Sequence, residues 1–241
     1  MIEKIETLFE KAKQLHYDEC CGMKVVDKMK GSGFFPGCTG FHNNPSDIKN
    51  TFVMVVGQDF ATEEYHQKIG DKGEVDSNTT WRNLKTLLKD IRIDEDICFF
   101  TNAYIGLRKN GKNTGQSPAK KSPNFTQQCQ KFFKEQLSVI NPELVLILGK
   151  EPAKFVAQIF PDYFAEWKKM KLLKQFYEDE ENISCTLKFE NKKIQFLFAL
   201  HPSMSNTNRP KIWGKGVKGR EKETDMLKKH LSNFYIRHNL Q

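Results

Sequence analysis

The chain has 241 residues, 38% of them hydrophobic and 28% charged, and a formal net charge of +8. Length and balance fit one folded α/β domain and exclude a disordered chain, while the positive excess suits a polyanionic partner. No stretch is apolar enough for a membrane span, and the first residues, with Glu3, Lys4 and Glu6, lack the apolar segment of a signal peptide. A cytoplasmic protein with no membrane partner is therefore expected.

Residues 2–16 read as an amphipathic helix, with Ile2, Ile5, Leu8, Phe9 and Ala12 at helical spacing. A Gly-rich stretch at 31–40 excludes regular structure, and its Phe34 and Phe35, with Phe41, are placed to pack over a neighbouring surface. The apolar run 51–56 does not alternate, as a strand covered on both faces should not. Thr79 or Thr80 can cap a helix through Ile91 whose apolar face carries Trp81, Leu84, Leu87 and Leu88. Strand 97–102 leads into a loop rich in Gly, Asn, Lys and Pro that reaches Asn124, and a loop of that length inside a domain is usually functional.

A helix over 126–140 should stop at Asn141 and Pro142. Strand 143–148 then runs into Gly149 and a helix over 151–158 with Pro152 in its first turn. A single helix is expected over 161–177, followed by a solvated acidic turn from Glu178 to Glu181. Segments 185–189 and 194–200 flank a polar turn and read as a hairpin, so 185–189 is an antiparallel addition at an edge. Residues 203–219 read as a basic loop before a closing helix over 221–238. The expected architecture is a three-layer α/β/α sandwich with a central, mainly parallel four-stranded sheet, one domain over 1–241, and residues 1–50 packing on its core.

Three of these runs end on polar residues: Gly57, Gln58 and Asp59 after the first, Asn102 after the second, and His201, Pro202 and Ser203 after the last. In a parallel sheet all three ends lie at the carboxyl edge, where open α/β sheets bind ligands. Each residue also has a plain structural reading. Asp59 could cap a helix, Asn102 could stabilise a turn, and His201 could be a satisfied polar group.

The positive charge is clustered. Residues 103–134 contain no acid but include Arg108, Lys109, Lys112, Lys120, Lys121, Lys131 and Lys134, and a second basic stretch runs through Arg209, Lys211, Lys215, Lys218, Arg220 and Lys222. Both stretches follow strand ends, which points to nucleic acid. Cys98, Cys129 and Cys185 read as core or near-core thiols. Cys20, Cys21 and Cys38, near His42, lack any C-x-x-C pair, so no metal is expected.

Gly57-Gln58-Asp59, preceded by Val56, resembles the first motif of the uracil-DNA glycosylases, and His201-Pro202-Ser203 resembles their second. Thr101-Asn102 falls where that family places its base-reading asparagine. Residues 144–149, followed by Pro152 and Ala153, resemble the superfamily's third strand and the helix after it. The likeness spans roughly residues 50–235 in outline and is concentrated in these short motifs.

The resemblance implies hydrolysis of the N-glycosidic bond of uracil or a related deaminated base in DNA, as in base excision repair, by a monomer without metal or cofactor. It implies Asp59 and His201 as catalytic groups, Asn102 and Gln58 at the base, and an aromatic partner for the base at Phe60 or Trp81. Ser203, Met204, Arg108, Lys109, Arg209 and Lys211 would meet the DNA, with Met204 as an apolar wedge. Phe60 and Ala61 stand where the best-known branch carries proline and a thymine-excluding tyrosine, so that device is missing. The alternative is a nucleic-acid-binding protein on the same fold without catalysis. A nucleotide-hydrolysing enzyme is disfavoured by the lack of a G-x-x-x-x-G-K-[ST] or G-x-G-x-x-G loop.

Overall fold

The computed structural model describes residues 2–29, 31–38, 40, 51–69 and 72–239. The expectations for Phe41, His42 and the side chain of Ile2 fall outside the described residues.

The elements in chain order begin with α1 (Ile2–Lys13), β1 (Met23–Lys24), β2 (Val53–Gly57), β3 (Phe60–Thr62), α2 (Glu63–Ile69), α3 (Gly73–Ser77) and α4 (Thr79–Asp90). There follow β4 (Cys98–Asn102), β5 (Leu107–Arg108), α5 (Pro123–Ile140), β6 (Leu144–Leu148), α6 (Lys150–Ile159), α7 (Ala165–Lys169) and α8 (Leu173–Glu178). The last are β7 (Ser184–Phe189), β8 (Lys192–Ala199), α9 (Ser205–Trp213) and α10 (Gly219–His238). The main sheet has five strands in the order β4-β2-β6-β8-β7 and is flanked by helices, which makes an α/β/α sandwich. The chain divides into two compact units, Met1–Asn78 with Asp96–Pro142, and Thr79–Glu95 with Glu143–Gln241.

In the first unit β2 and β4 pair in parallel, and every residue of both is buried. Ile5, Leu8, Phe9 and Ala12 of α1 are buried, and the Phe9 ring lies 4.7 Å from that of Phe35. Phe35 also meets Phe99 of β4 at 5.4 Å, and its N–H bonds the Phe100 carbonyl. The Gly-rich stretch is thus laid along β4. Helix α5 begins at Pro123, earlier than its apolar period indicates, because Ser122 caps it through the Phe125 N–H and Pro123 fits the first turn. It ends at Asn141 in the left-handed region, before Pro142.

A second sheet, β1-β5-β3, has strands too short to announce themselves by periodicity. Thr62, at the end of β3, accepts the Tyr65 N–H and so starts α2, the role open to Asp59 on sequence grounds.

In the second unit β6 and β8 are parallel, and β7 returns antiparallel to β8 through a turn with Glu190 at positive φ. The expected helix over 161–177 is two short helices, α7 and α8. Phe164, Trp167, Met170, Phe176 and Tyr177 are buried while Tyr163 and Leu172 are exposed, which is not one continuous helical stripe. The Trp167 indole N–H donates to the Asn182 carbonyl, anchoring the break. The expected loop at 203–219 contains α9, which carries Pro210 inside it and buries only Ser205 and Ile212, leaving no apolar period to read.

Candidate active site

In the first unit Gly57 stands opposite Asn102 in the β2–β4 register. Beyond the strand ends the Ala103 N–H donates to the Gly57 carbonyl and the Tyr104 N–H to that of Gln58, each at 2.9 Å. These bonds hold the turn that bears Asp59. Asn102 is 4% exposed, and among the described residues no protein group hydrogen-bonds its amide. A Cβ on residue 57 would lie 2.3 Å from Asn102 Oδ1 and 3.4 Å from Phe34 Cε1. Glycine at 57 therefore leaves room for an amide whose NH2 donates and whose oxygen accepts, neither used by the described residues.

Phe34 was not singled out for the site from sequence. It belongs to the Gly-rich stretch, packs edge-on against Phe100 at 6.1 Å, and, like the Asn102 amide, borders the space where a Cβ on residue 57 would stand. Without a period or motif, only its aromaticity marked it. Phe60, expected to face the base, is instead 3% exposed on β3, opposite Leu107. The Gln58 amide is tied to the Gly115 carbonyl at 2.9 Å.

The Asp59 side chain is 5% exposed and paired with Arg108, whose Nη2 lies 3.0 Å from Oδ1. Arg108 Nε approaches both carboxylate oxygens at 3.1 Å. Burial pushes the Asp59 carboxyl above its ordinary range, and the Arg108 charge and a hydrogen bond with Ser117 pull against that shift. The sequence placed Arg108 on a DNA-facing surface. The structure buries it, because β5 sets it beside β3 and the carboxylate beyond. Lys109, one residue on, is exposed.

In the second unit His201 follows β8 and opens a turn, Pro202–Met204, that leads into α9. Asn83 Nδ2 and Ser205 Oγ both donate to the Pro202 carbonyl, at 2.9 and 3.0 Å, fixing that turn. The Ser203 N–H donates to His201 Nδ1 at 3.3 Å, and the Ser203 hydroxyl lies 2.9 Å from the same nitrogen. Nδ1 is thereby the acceptor, so the proton of the neutral ring sits on Nε2. Burial lowers the His201 pKa to about 4, which keeps the ring neutral at physiological pH. The unit thus presents a neutral N–H donor whose tautomer is set by its own turn. Gly149, after β6 at φ +92°, makes room for it, since a Cβ there would lie 2.9 Å from His201 Cβ.

Ser203, Met204 and Lys211 are exposed. Arg209 is not available in that way: its Nε pairs with Glu223 at 2.8 Å, and the Glu223 side chain is 1% exposed. Trp81 is fully buried on α4, which removes it as a surface for a base.

Residues 45–229 match the family model of the Uracil DNA glycosylase superfamily. No curated protein gives a significant match to the chain.

Proposed function

The chain belongs to the uracil DNA glycosylase superfamily, and from that premise we propose that it is a monofunctional DNA glycosylase acting on uracil or a related deaminated base. The observation that carries this reading is the buried Asn102 amide, unbonded by the described protein groups and set in the space where a Cβ on residue 57 would stand. Uracil offers O4 as acceptor and N3–H as donor, the complement of one amide; cytosine reverses both.

Breaking the N-glycosidic bond sends its electron pair to N1 of the base and leaves a cationic sugar. In the proposed mechanism the His201 Nε2–H donates to the O2 of the departing base as charge builds there. A neutral donor suits this task, and the turn at Ser203 supplies one. Asp59 stabilises the sugar cation and orients the water that attacks C1′; the incoming water loses a proton to solvent through the carboxylate. Phe34 takes the place of Phe60 and Trp81 as the aromatic neighbour of the base. Ser203, Met204, Lys109 and Lys211 remain as DNA contacts.

A labelled oligonucleotide carrying one uracil, treated with alkali after incubation, tests the reading. Wild type should yield strand scission, and Asp59→Asn should be slower by roughly 100-fold or more. Intact strands with wild type, across uracil, hypoxanthine and xanthine, would remove the assignment. One observation favours a second reading, a binding protein without catalysis: the Asp59 charge is already paired with Arg108. Tight binding to uracil-containing DNA with no scission would select it.

A further inference from the structure

Arg108 does more than neutralise a carboxylate. Its Nη1 donates to the carbonyls of Lys112 and Thr114 at 2.6 and 3.0 Å. Its Nη2 donates to Asp59 Oδ1 at 3.0 Å and to the Gly115 carbonyl at 3.2 Å. With Nε on both Asp59 oxygens, all five N–H groups have acceptors. The same loop is fastened to the Asp59 segment twice more: Gln58 Nε2 donates to the Gly115 carbonyl, and Asn113 Oδ1 accepts the Thr62 N–H at 3.1 Å. Its outer side differs. Residues 109–116 are exposed, contain Lys109 and Lys112, and include no acid.

A stretch of lysine, asparagine, threonine and glycine has no core of its own. What orders it is a rigid fork of donors, and the same fork fixes the plane of the carboxylate. We propose that Arg108 is a positioning residue that joins the basic 109–116 loop to the Asp59 carboxylate, so that DNA phosphates held by Lys109 and Lys112 and the aim of Asp59 depend on one guanidinium. The catalytic half of this rests on the glycosylase reading above.

Two variants and two readouts test it. Arg108→Lys keeps the charge but concentrates its donors on one nitrogen, which cannot serve the carboxylate and three carbonyls together. Gly115→Ala leaves the ion pair in place but strains a residue at φ +87°, where a Cβ meets nothing within 4 Å, so its effect acts through the backbone of the loop. Amide hydrogen exchange across 109–116, measured on the full chain, should accelerate in both. The single-turnover rate on uracil DNA at saturating enzyme should fall roughly 10- to 100-fold in Arg108→Lys, and the half-saturating enzyme concentration should rise as the loop loses its hold on the phosphates.

Unchanged exchange in both variants overturns the coupling, whatever the activity. Faster exchange with a wild-type rate makes Arg108 merely structural and leaves the glycosylase reading standing. Wild type without scission on any deaminated base sinks that reading and the positioning role with it, while exchange still decides the coupling. If Arg108→Lys fails to fold, Gly115→Ala carries the same two readouts.

Discussion

Gly57 and Asn102 face each other across the β2–β4 pair so closely that a single methyl group on residue 57 would come within 2.3 Å of Asn102 Oδ1. The backbone at 57 is that of an ordinary strand end, so alanine brings little conformational strain. Its cost falls on the amide, which must turn away. Gly57→Ala should therefore lower the single-turnover rate on uracil DNA by roughly 10- to 100-fold while the thermal midpoint moves little. A wild-type rate together with a wild-type midpoint would mean that the Asn102 amide does not read the base.

Asn102→Asp addresses the same amide chemically. A carboxylate only accepts, so it repels O4 of uracil while retaining an acceptor for the amino group of cytosine. Excision of uracil should drop by on the order of 100-fold or more, from the loss of a bidentate pair and an unfavourable charge. Paired oligonucleotides with uracil or cytosine at one position give the ratio directly. A ratio equal to that of wild type would count against Asn102 as the discriminating residue.

Arg209 and Lys211 sit two residues apart on α9 and should fail in different ways. Arg209 pairs with the buried Glu223, which also accepts the Leu200 N–H at 3.0 Å, one residue before His201. Arg209→Gln leaves that carboxylate without its cation and should destabilise the fold by about 3–5 kcal/mol, read by urea unfolding. Lys211 is exposed. Lys211→Gln should leave stability within about 0.5 kcal/mol of wild type and weaken DNA binding, with a shallower dependence of affinity on salt. The opposite assignment of effects would show that burial misplaces the DNA surface.

The same pair shows where sequence reading stops. A run of basic residues announces positive charge but not which side chains fold inward. Arg108 and Lys109 are neighbours in that run, yet one is enclosed by Asp59 and three carbonyls and the other faces solvent. The long strands were legible because buried parallel strands are unbroken apolar runs, and their polar ends marked Asp59, Asn102 and His201. The strands β1, β3 and β5 were not, being two or three residues long. Phe34 was hidden for a related reason. Its place near Gly57 comes from the pairing of neighbouring Phe35 with β4, a long-range contact that a Gly-rich stretch does not signal. The turn at Ser203 that fixes the His201 tautomer was legible only as a motif, without its hydrogen bond.

Burial also gives the fold a pH dependence with a definite sign. His66 on α2 is 7% exposed, neither ring nitrogen has a partner among the described residues, and burial lowers its pKa to about 4. An unfolded histidine titrates near 6.5, so between about pH 6.5 and 4 the unfolded chain takes up a proton that the folded chain refuses. Acidification through that window therefore weakens the fold, and stability returns as pH rises. Asp59 and Glu223 act in the opposite sense, because burial raises both carboxyls and the folded chain then protonates them more readily than the unfolded one. The histidine effect is best read as a difference between variants. Urea unfolding of wild type and His66→Phe at pH 7 and pH 5 should show wild type losing on the order of 1–2 kcal/mol more than the variant. Equal losses in the two proteins would mean that His66 takes up its proton in the folded state, and that the space around its ring is open to water.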